Sequence, residues 1–189
     1  MKKRRRKGRR ILLLLVVGLV VVLLINSEWI GRWMYPVYYR DDIRISAQNY
    51  EVEPHLVAAI IRSESNYQTG RESRKGALGM MQIMPETANW IAEQADFTVT
   101  LDDVHHRPDV AIEMGAWYIQ SLQKQFGENR VAVVAAYNAG PGKVSSWLSD
   151  GVWDGQLDSL DEVPYGETRH YVRRVMFYYN KYKDLYPSF

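Results

Sequence analysis

The chain has no cysteine among its 189 residues. A disulfide framework, a zinc-thiolate site and a cysteine nucleophile are therefore excluded. The sequence also lacks internal repeats and any clear alternation of apolar and polar residues, which disfavours repeat proteins and sheet-based folds. No phosphate-binding loop or dinucleotide fingerprint occurs, so the sequence implies no cofactor.

Positive charge is scarce outside the first ten residues. The formal net charge is +2, but eight of the 24 basic residues lie within residues 1–10, which leaves 16 basic against 22 acidic residues in the remainder. A domain that binds nucleic acid carries its basic residues on the folded surface, so we expect no nucleic-acid partner. The length and the apolar content of 47% fit one globular core with accessory segments.

An apolar run from Ile11 to Ile25 follows the basic cluster directly. Fifteen helical residues rise about 22 Å, against roughly 30 Å for the hydrocarbon core of a bilayer, so the length fits a signal peptide as well as a span. The next residues lack a clear small-residue cleavage site and include Trp29 and Trp33, which suit a membrane interface. We expect an uncleaved transmembrane anchor over residues 11–27, with cleavage and release as the alternative.

The orientation of this anchor follows from the basic cluster. Positive residues favour the inner side of a membrane, so residues 1–10 are predicted to form a cytoplasmic tail. The chain would then be a single-pass protein of the cell membrane, with everything after the anchor on the extracytoplasmic side. Residues 28–44 carry aromatic residues, Pro36 and mixed charges without periodicity, and we interpret them as a stalk.

Helical signals dominate from Ile45 onward, and they predict a single mainly α domain over residues 45–189. Apolar spacing, first-turn prolines and glycine stops predict helices at 54–66, 85–94, 110–126 and 167–185, and shorter helical segments at 46–49, 131–137 and 143–149. Residues 67–82 and 96–108 are predicted to be loops because they are rich in polar residues and in glycine or proline.

Glu64 occupies an unusual position for a carboxylate. It continues the apolar side formed by Val57, Ile60 and Ile61, and it lies near the end of its predicted helix. Desolvation and the negative end of the helix dipole both disfavour the charged form, so we expect a raised pKa. Glycosidic cleavage needs a carboxylic acid that is still protonated near neutral pH. Spacing alone favours a simpler interpretation, a partly exposed glutamate at a helix end.

Four motifs occur in a fixed order along the chain. They are Glu64-Ser65, SRKGALGMMQIMP at 73–85, AYNAGP at 136–141 and PYGETRHYV at 164–172. In order and spacing they resemble the motifs of the soluble lytic murein transglycosylase (SLT) family over about residues 45–186. The combination is specific, whereas each motif alone is weak. One departure is Met80, where the family usually has leucine.

This resemblance implies a lysozyme-like fold and a lytic transglycosylase of the bacterial cell wall. Such an enzyme cleaves the β-1,4 bond between N-acetylmuramic acid and N-acetylglucosamine in peptidoglycan without water, and leaves 1,6-anhydro-muramyl ends. The resemblance assigns Glu64 as the single catalytic acid and base, and implies no metal. It assigns the glycan groove to Ser73, Gly79, Met81, Gln82, Tyr137, Asn138 and Glu167.

Spacing alone gives these groove residues simpler interpretations. The glycines fit an ordinary turn, Tyr137 and Asn138 fit a core tyrosine beside a capping asparagine, and Glu167 fits the first turn of a helix. The glycan strand and the membrane are the partners that the sequence predicts, and it indicates no particular protein partner.

Two other functions remain open at this point. A goose-type lysozyme would use a catalytic glutamate and a water molecule held by Asp102 or Asp103, and a wall-binding module would bind glycan without cleaving it. We interpret Asp102, Asp103, His105 and His106 as solvated loop residues, not as a metal site or a carboxylate pair. The aromatic residues of the last helix are predicted to pack in the core, namely Tyr171, Phe177, Tyr178, Tyr179, Tyr182 and Tyr186.

Overall fold

The computed structural model describes residues 2–25 and 28–189, with the side chains of the first helix described at residue 9 and residues 12–22. Residues 1, 26 and 27, which belong to the predicted tail and anchor, lie outside the described residues. The chain divides into two units, residues 1–37 and residues 38–189.

The first unit contains two helices, α1 (Lys2–Ile25) and α2 (Glu28–Met34). The large apolar side chains described in α1 between Leu12 and Val22 are exposed. Within residues 2–25 and 28–189, no helix combines the length and the apolar character that a membrane crossing needs. Helix α2 lies in the predicted stalk, where the ion pair between Arg32 and Glu28, 3.0 Å apart, joins residues one helical turn apart.

The second unit is mainly helical, as predicted. Its helices are α3 (Arg40–Asn49), α4 (Pro54–Glu64), α5 (Pro85–Ala95), α6 (Leu101–His106), α7 (Pro108–Phe126), α8 (Arg130–Ala139), α9 (Pro141–Ser149) and α10 (Gly166–Leu185), with a 3₁₀ turn at Leu160–Glu162. Among the described residues, β pairing is limited to the isolated bridges Glu72–Leu78 and Leu78–Ile83. Proline at the first position starts α4, α5, α7 and α9, because its fixed φ suits a helix start and its missing N–H is not needed there.

Helices α4 and α8 form the centre of this unit. Every residue from Leu56 to Ile61 and from Ala132 to Ala136 is buried, so both helices are enclosed on all sides. Helix α10 packs along α4 and α8, and α7 packs against α8 and α3. The carboxyl end of α4 is half-buried over residues 62–64, so Glu64 lies where the packed interior meets the surface.

The compact unit begins at Tyr38, whereas the sequence analysis placed the boundary at Ile45. Helix α3 starts at Arg40, and the Ile43 side chain is fully buried. The predicted stalk therefore extends too far, because a single buried isoleucine in a polar segment gives little periodic signal.

The prediction of a loop over residues 96–108 is wrong, because residues 101–106 form α6. The Thr100 hydroxyl accepts a hydrogen bond from the Asp103 N–H at 3.2 Å, and the Asp103 carboxylate accepts one from the Thr100 N–H at 2.9 Å. This reciprocal pair is a capping box, which satisfies N–H groups at a helix start. The Thr-x-x-Asp spacing was the available signal. Asp102, Asp103, His105 and His106 therefore lie on a helix.

Candidate active site

Glu64 is the last residue of α4 and keeps partial contact with solvent. Burial raises the pKa of its carboxyl to about 7. The Tyr171 hydroxyl, Arg174 and Arg71 act in the opposite direction, and the negative charge of Glu167 adds to the increase. The carboxyl is therefore an acid that holds its proton near neutral pH, in the direction that the sequence predicted.

Two tyrosines whose hydroxyl groups are shielded from solvent interact with this carboxyl. Tyr137 in α8 donates a hydrogen bond to the Met81 carbonyl oxygen at 3.0 Å, and burial together with the Glu64 charge raises the pKa of its hydroxyl well above the usual range. Tyr171 in α10 is also buried, and its hydroxyl has no well-aligned hydrogen bond among the described residues. It nevertheless interacts with Glu64 and lowers the carboxyl pKa. The sequence analysis assigned Tyr171 to packing and missed this contact.

Tyr171 could have been recognised from its motif. It lies within PYGETRHYV, one of the four motifs of the resemblance, but it also fits the aromatic pattern of the last helix. Tyr179, Tyr182 and Tyr186 are buried as predicted, whereas Phe177 is exposed. The aromatic pattern of α10 thus combines core packing with one residue of the site.

Gly79 marks the contact between the loop after α4 and helix α6. Its φ is +69°, and a Cβ at this position would lie 2.2 Å from the Val104 carbonyl oxygen. Only glycine allows the two backbones to approach so closely in this conformation. The resemblance assigned Gly79 to the glycan groove, whereas in the structure its missing side chain makes room for the backbone of α6.

Hydrogen bonds within the loop fix two of its polar side chains, Ser73 and Gln82. The Ser73 hydroxyl accepts a hydrogen bond from the Ala77 N–H at 2.9 Å. The Gln82 amide donates to the Gly79 carbonyl at 2.8 Å and to the Arg71 carbonyl at 3.0 Å. The amide nitrogen of Gln82 is therefore engaged within the loop, and its oxygen is the group that remains to accept a hydrogen bond from a ligand.

Met81 does not line a groove with its side chain. It is 0% exposed, and a Cβ at Gly115 in α7 would lie 2.1 Å from the Met81 sulfur, so the side chain packs directly onto that glycine. The prediction that Met81 lines the groove is wrong for its side chain, which belongs to the core, while its carbonyl oxygen accepts the hydrogen bond of the Tyr137 hydroxyl. The alternation of buried and accessible residues in this irregular loop could not be read from spacing.

A cavity of about 240 Å³ adjoins these residues. Its lining includes three predicted groove residues, and the whole set is Gln82, Ile83, Met84, Thr87, Tyr118, Tyr137, Asn138, Ala139 and Gly140. The Asn138 side-chain oxygen accepts a hydrogen bond from the Thr168 hydroxyl at 2.9 Å. The Asn138 amide is then the donor that this residue offers to a ligand, beside the Gln82 oxygen.

Glu167 lies in the first turn of α10 and interacts with Lys75 of the loop, 3.4 Å away. Both side chains are largely exposed, so this ion pair adds little to stability. Its position matters more, because the Glu167 charge reaches Glu64. Loop, α4 and α10 thus meet at one place.

The Transglycosylase SLT domain family matches residues 41–155. The chain belongs to this family. The soluble lytic murein transglycosylase of Escherichia coli (strain K12) is 35% identical over 155 residues, which cover 76% of this chain and 23% of that protein. The membrane-bound lytic murein transglycosylase C of Edwardsiella ictaluri (strain 93-146) is 30% identical over 115 residues, which cover 56% of this chain and 32% of that protein.

Solved structures agree with this assignment. The 70 kDa soluble lytic transglycosylase of Escherichia coli superimposes with a TM-score of 0.76 at 32% identity, covering 82% of this chain and 25% of that chain. An inactive Glu-to-Gln mutant of lytic transglycosylase Slt from Pseudomonas aeruginosa superimposes with a TM-score of 0.73 at 34% identity, covering 79% of this chain and 24% of that chain. The mainly helical, lysozyme-like SLT fold is confirmed, and the chain spans about a quarter of the length of these relatives.

The SLT domain brings most of the predicted residues into one region. Tyr137 and Glu167 interact electrostatically with Glu64, and Gln82 and Asn138 share a cavity with Tyr137. Ser73 lies in the adjoining loop. Asp102 and Asp103 are engaged elsewhere, the first with His106 at 3.6 Å and the second within the α6 cap. Among the described residues, no group of His, Asp and Glu side chains is arranged to hold a metal ion.

Proposed function

We propose that this chain is a lytic transglycosylase that cleaves the β-1,4 bond between N-acetylmuramic acid and N-acetylglucosamine in peptidoglycan and leaves 1,6-anhydro-muramyl ends. The observation that carries the proposal is Glu64, a desolvated carboxyl with a pKa of about 7 at the end of α4. It lies in an SLT domain, and relatives of this domain bear the name lytic murein transglycosylase.

Bond cleavage begins with the protonated form of Glu64. The carboxyl gives its proton to the glycosidic oxygen as the bond from that oxygen to C1 breaks, so the leaving sugar departs as a neutral alcohol. The positive charge that develops at C1 is met by the N-acetyl group of the substrate itself. No second enzyme carboxylate is then required, in agreement with a site built around one buried acid.

Ring closure uses the same residue as a base. The Glu64 carboxylate removes the proton from the C6 hydroxyl of the muramyl residue, and the C6 oxygen forms a bond to C1. This step restores the protonated carboxyl and consumes no water. The Tyr171 hydroxyl, Arg174 and Arg71 favour the carboxylate, and they would stabilise it between the two steps.

Recognition of the glycan is assigned to the polar groups beside Glu64. The Gln82 oxygen and the Asn138 amide would bind hydroxyl or acetamide groups of the sugars in the 240 Å³ cavity. Ser73 and Glu167 would contact the strand from the loop and from α10. Gly79 and the Met81 carbonyl would act indirectly, by fixing the loop and Tyr137.

The goose-type lysozyme is not favoured, because Asp102 and Asp103 are engaged within α6 and are not among the main groups that shift the pKa of Glu64. A non-catalytic binding module has no need of a carboxyl with a raised pKa. The inactive Glu-to-Gln mutant of the Pseudomonas aeruginosa protein supports a glutamate as the essential group in such enzymes.

Mass spectrometry of the fragments released from purified peptidoglycan tests this function. We expect anhydro-muramyl ends from the wild type and none from Glu64→Gln, because an amide cannot donate and recover the proton. Glu51→Gln changes an exposed glutamate in the loop before α4 and should cleave like the wild type. Ordinary reducing ends would indicate a lysozyme, and cleavage by Glu64→Gln would remove Glu64 from the mechanism.

We further propose that residues 11–27 attach the protein to the cell membrane, with the tail of residues 1–10 on the cytoplasmic side, residues 28–37 as a shortened stalk and the SLT domain on the extracytoplasmic side. The basic cluster, the exposed apolar side chains of α1 and the exposed Trp29 and Trp33 support this placement. Peptidoglycan lies on that side of the membrane, so the placement would bring the site to its substrate.

A further inference from the structure

A second and larger cavity, of about 680 Å³, lies next to the cavity of the active site. Helices α5 and α7 form most of its lining, which includes Trp90, Trp117 and Tyr118. Thr87 and Tyr118 line both cavities, so the two spaces adjoin. We refer to the larger one as the tryptophan cleft.

Aromatic rings connect the tryptophan cleft with the catalytic carboxyl. The centroids of Trp90 and Trp117 are 5.5 Å apart, and those of Trp90 and Tyr118 are 6.2 Å apart. Tyr118 lies 5.3 Å from Tyr137, whose hydroxyl pKa responds to the Glu64 charge. A glycan strand held in the smaller cavity beside Tyr137 can therefore continue over Tyr118 into the cleft.

Exposure of Trp90 points to a ligand. Its side chain is 44% exposed although it lies in a concave, largely apolar part of the surface. Burying an indole contributes strongly to folding and binding, so a large aromatic left accessible in a cleft is typical of a binding site. Pyranose rings suit such a site, because their C–H faces stack on indole rings while their hydroxyl and acetamide groups reach the polar rim.

The charge of the lining distinguishes a glycan from a peptide. The cleft carries one acidic residue, Glu86, and one basic residue, Lys124, whose ammonium group already donates to the Gln120 side-chain oxygen at 3.1 Å. Peptide stems of peptidoglycan carry free carboxylates, and a lining with one ammonium group and one carboxylate of its own matches them poorly. The sugar rings of the strand offer uncharged hydroxyl and acetamide groups, which match this lining. The lactyl group that carries the peptide stem is the exception.

We propose that the tryptophan cleft is a distal glycan subsite, in which a sugar of the same strand stacks on Trp90 and Trp117. This inference rests on the proposed function, since it extends the substrate groove of Glu64. Its consequence is a preference for strands long enough to reach the cleft.

The test measures binding of peptide-free glycan strands of defined length to full-length protein that carries Glu64→Gln, so that no strand is cleaved. Adding Trp90→Ala should weaken binding of long strands by roughly tenfold, the effect of removing one stacking anchor. The loss should decrease as the strands become shorter. Trp90→Phe, which keeps a flat ring, should recover part of the affinity.

Phe177→Ala is the matched control. Phe177 is 47% exposed on α10, and its ring lies 5.5 Å from Tyr178 at an interplanar angle of 66°, the same distance and angle as for Trp90 and Trp117. It lines neither cavity. Its removal should leave binding at every strand length unchanged.

Three outcomes would overturn the subsite: no loss with Trp90→Ala, an equal loss at every strand length, or a loss confined to strands that carry peptides. Product analysis of the protein with intact Glu64, run in parallel, keeps the two proposals apart. Anhydro products without a length-dependent effect of Trp90→Ala would refute the subsite alone. Absence of products would refute the proposed function, while the binding assay would still report on the cleft.

Discussion

Glu64 shows how position changes the chemistry of a single side chain. A glutamate in water is ionised near neutral pH, but the end of α4 removes this carboxyl from most of its solvent, and burial is the largest cause of its raised pKa. The Tyr171 hydroxyl and the two arginines, Arg71 and Arg174, prevent a still larger shift. A residue that must both give and recover a proton needs such a balance.

The raised pKa of Glu64 has a measurable effect on stability. The Glu64 carboxyl has a pKa of 4.5 in the unfolded chain and about 7 in the folded protein. Between these two pH values the folded protein holds a proton that the unfolded chain has lost. The contribution of this group to stability is therefore fully present below pH 4.5 and is lost as the pH rises through 7. We expect Glu64→Gln to raise the free energy of unfolding by about 1–2 kcal/mol at pH 8, a value reduced for partial exposure.

Urea unfolding at two pH values checks this expectation. Because glutamine does not titrate, the difference between Glu64→Gln and the wild type should vanish at pH 4, where both side chains are neutral. An equal difference at both pH values would mean that the carboxyl does not titrate in the way its burial implies.

Tyr171 is proposed as a positioning residue for Glu64. Its hydroxyl lowers the carboxyl pKa, so Tyr171→Phe should raise that pKa and move the alkaline limb of the kcat/KM profile to higher pH. In the wild type this limb should lie near pH 7, with activity falling roughly tenfold per pH unit above it.

Tyr182→Phe provides the comparison for Tyr171→Phe. Tyr182 is fully buried on the same helix, its hydroxyl also lacks a well-aligned hydrogen bond among the described residues, and Glu64 is not among the groups that shift its pKa. The Tyr182→Phe variant should therefore leave the alkaline limb of the kcat/KM profile at the wild-type pH. A limb that moves with Tyr182→Phe, or stays fixed with Tyr171→Phe, would assign Tyr171 a purely structural role.

At the level of elements, the short helix α6 holds the loop that follows α4. The Gly70 N–H donates to the His105 carbonyl at 2.9 Å, and Gly79 packs against the Val104 carbonyl. These contacts hold the loop after α4 at two points, Gly70 and Gly79, and the same loop carries Ser73 and Gln82. A helix of only six residues thus orients the loop beside Glu64.

Gly79→Ala tests this contact between elements. It combines a positive φ with a clash against backbone, and we expect a loss of roughly 2–5 kcal/mol in the free energy of unfolding. Gly76→Ala has a similar φ of +84° but open space around its Cβ, so it should lose only about 1–2 kcal/mol. Equal losses in thermal or urea unfolding would show that α6 is not packed on the loop.

At the level of the whole molecule, the chain consists of two units with different composition. Residues 1–37 carry the basic cluster and the exposed apolar side chains of α1, whereas residues 38–189 bury the core and hold the site. This division corresponds to the proposed separation between membrane attachment and catalysis.

Removal of residues 1–37 tests that separation. The full chain should sediment with membranes and resist extraction at alkaline pH. The reason is that the apolar side chains of α1 would be buried in the bilayer instead of being exposed to water. Residues 38–189 should remain in the supernatant and still release anhydro-muramyl fragments. Recovery of the full chain in the supernatant would refute the attachment, and loss of cleavage by the shorter chain would show that the domain depends on residues 1–37.

Local sequence determined most of the helical segments, with α6 and the first turns of α3 as exceptions, as well as the start of several helices and the family of the chain. Prolines at helix starts and runs of apolar residues act over a few positions, and the four motifs identify Glu64 by their order. The raised pKa of Glu64 was also predictable, because apolar neighbours one helical turn away signal burial.

Tertiary packing alone decided which side chains meet. The Met81 side chain packs in the core against Gly115, and Gly79 contacts the backbone of α6. Tyr171 interacts with Glu64 although it lies in a helix far along the chain. The tryptophan cleft exists only because α5 and α7 place Trp90 beside Trp117. Spacing along one segment specifies which residues share a face, but the partner of that face depends on how distant helices pack.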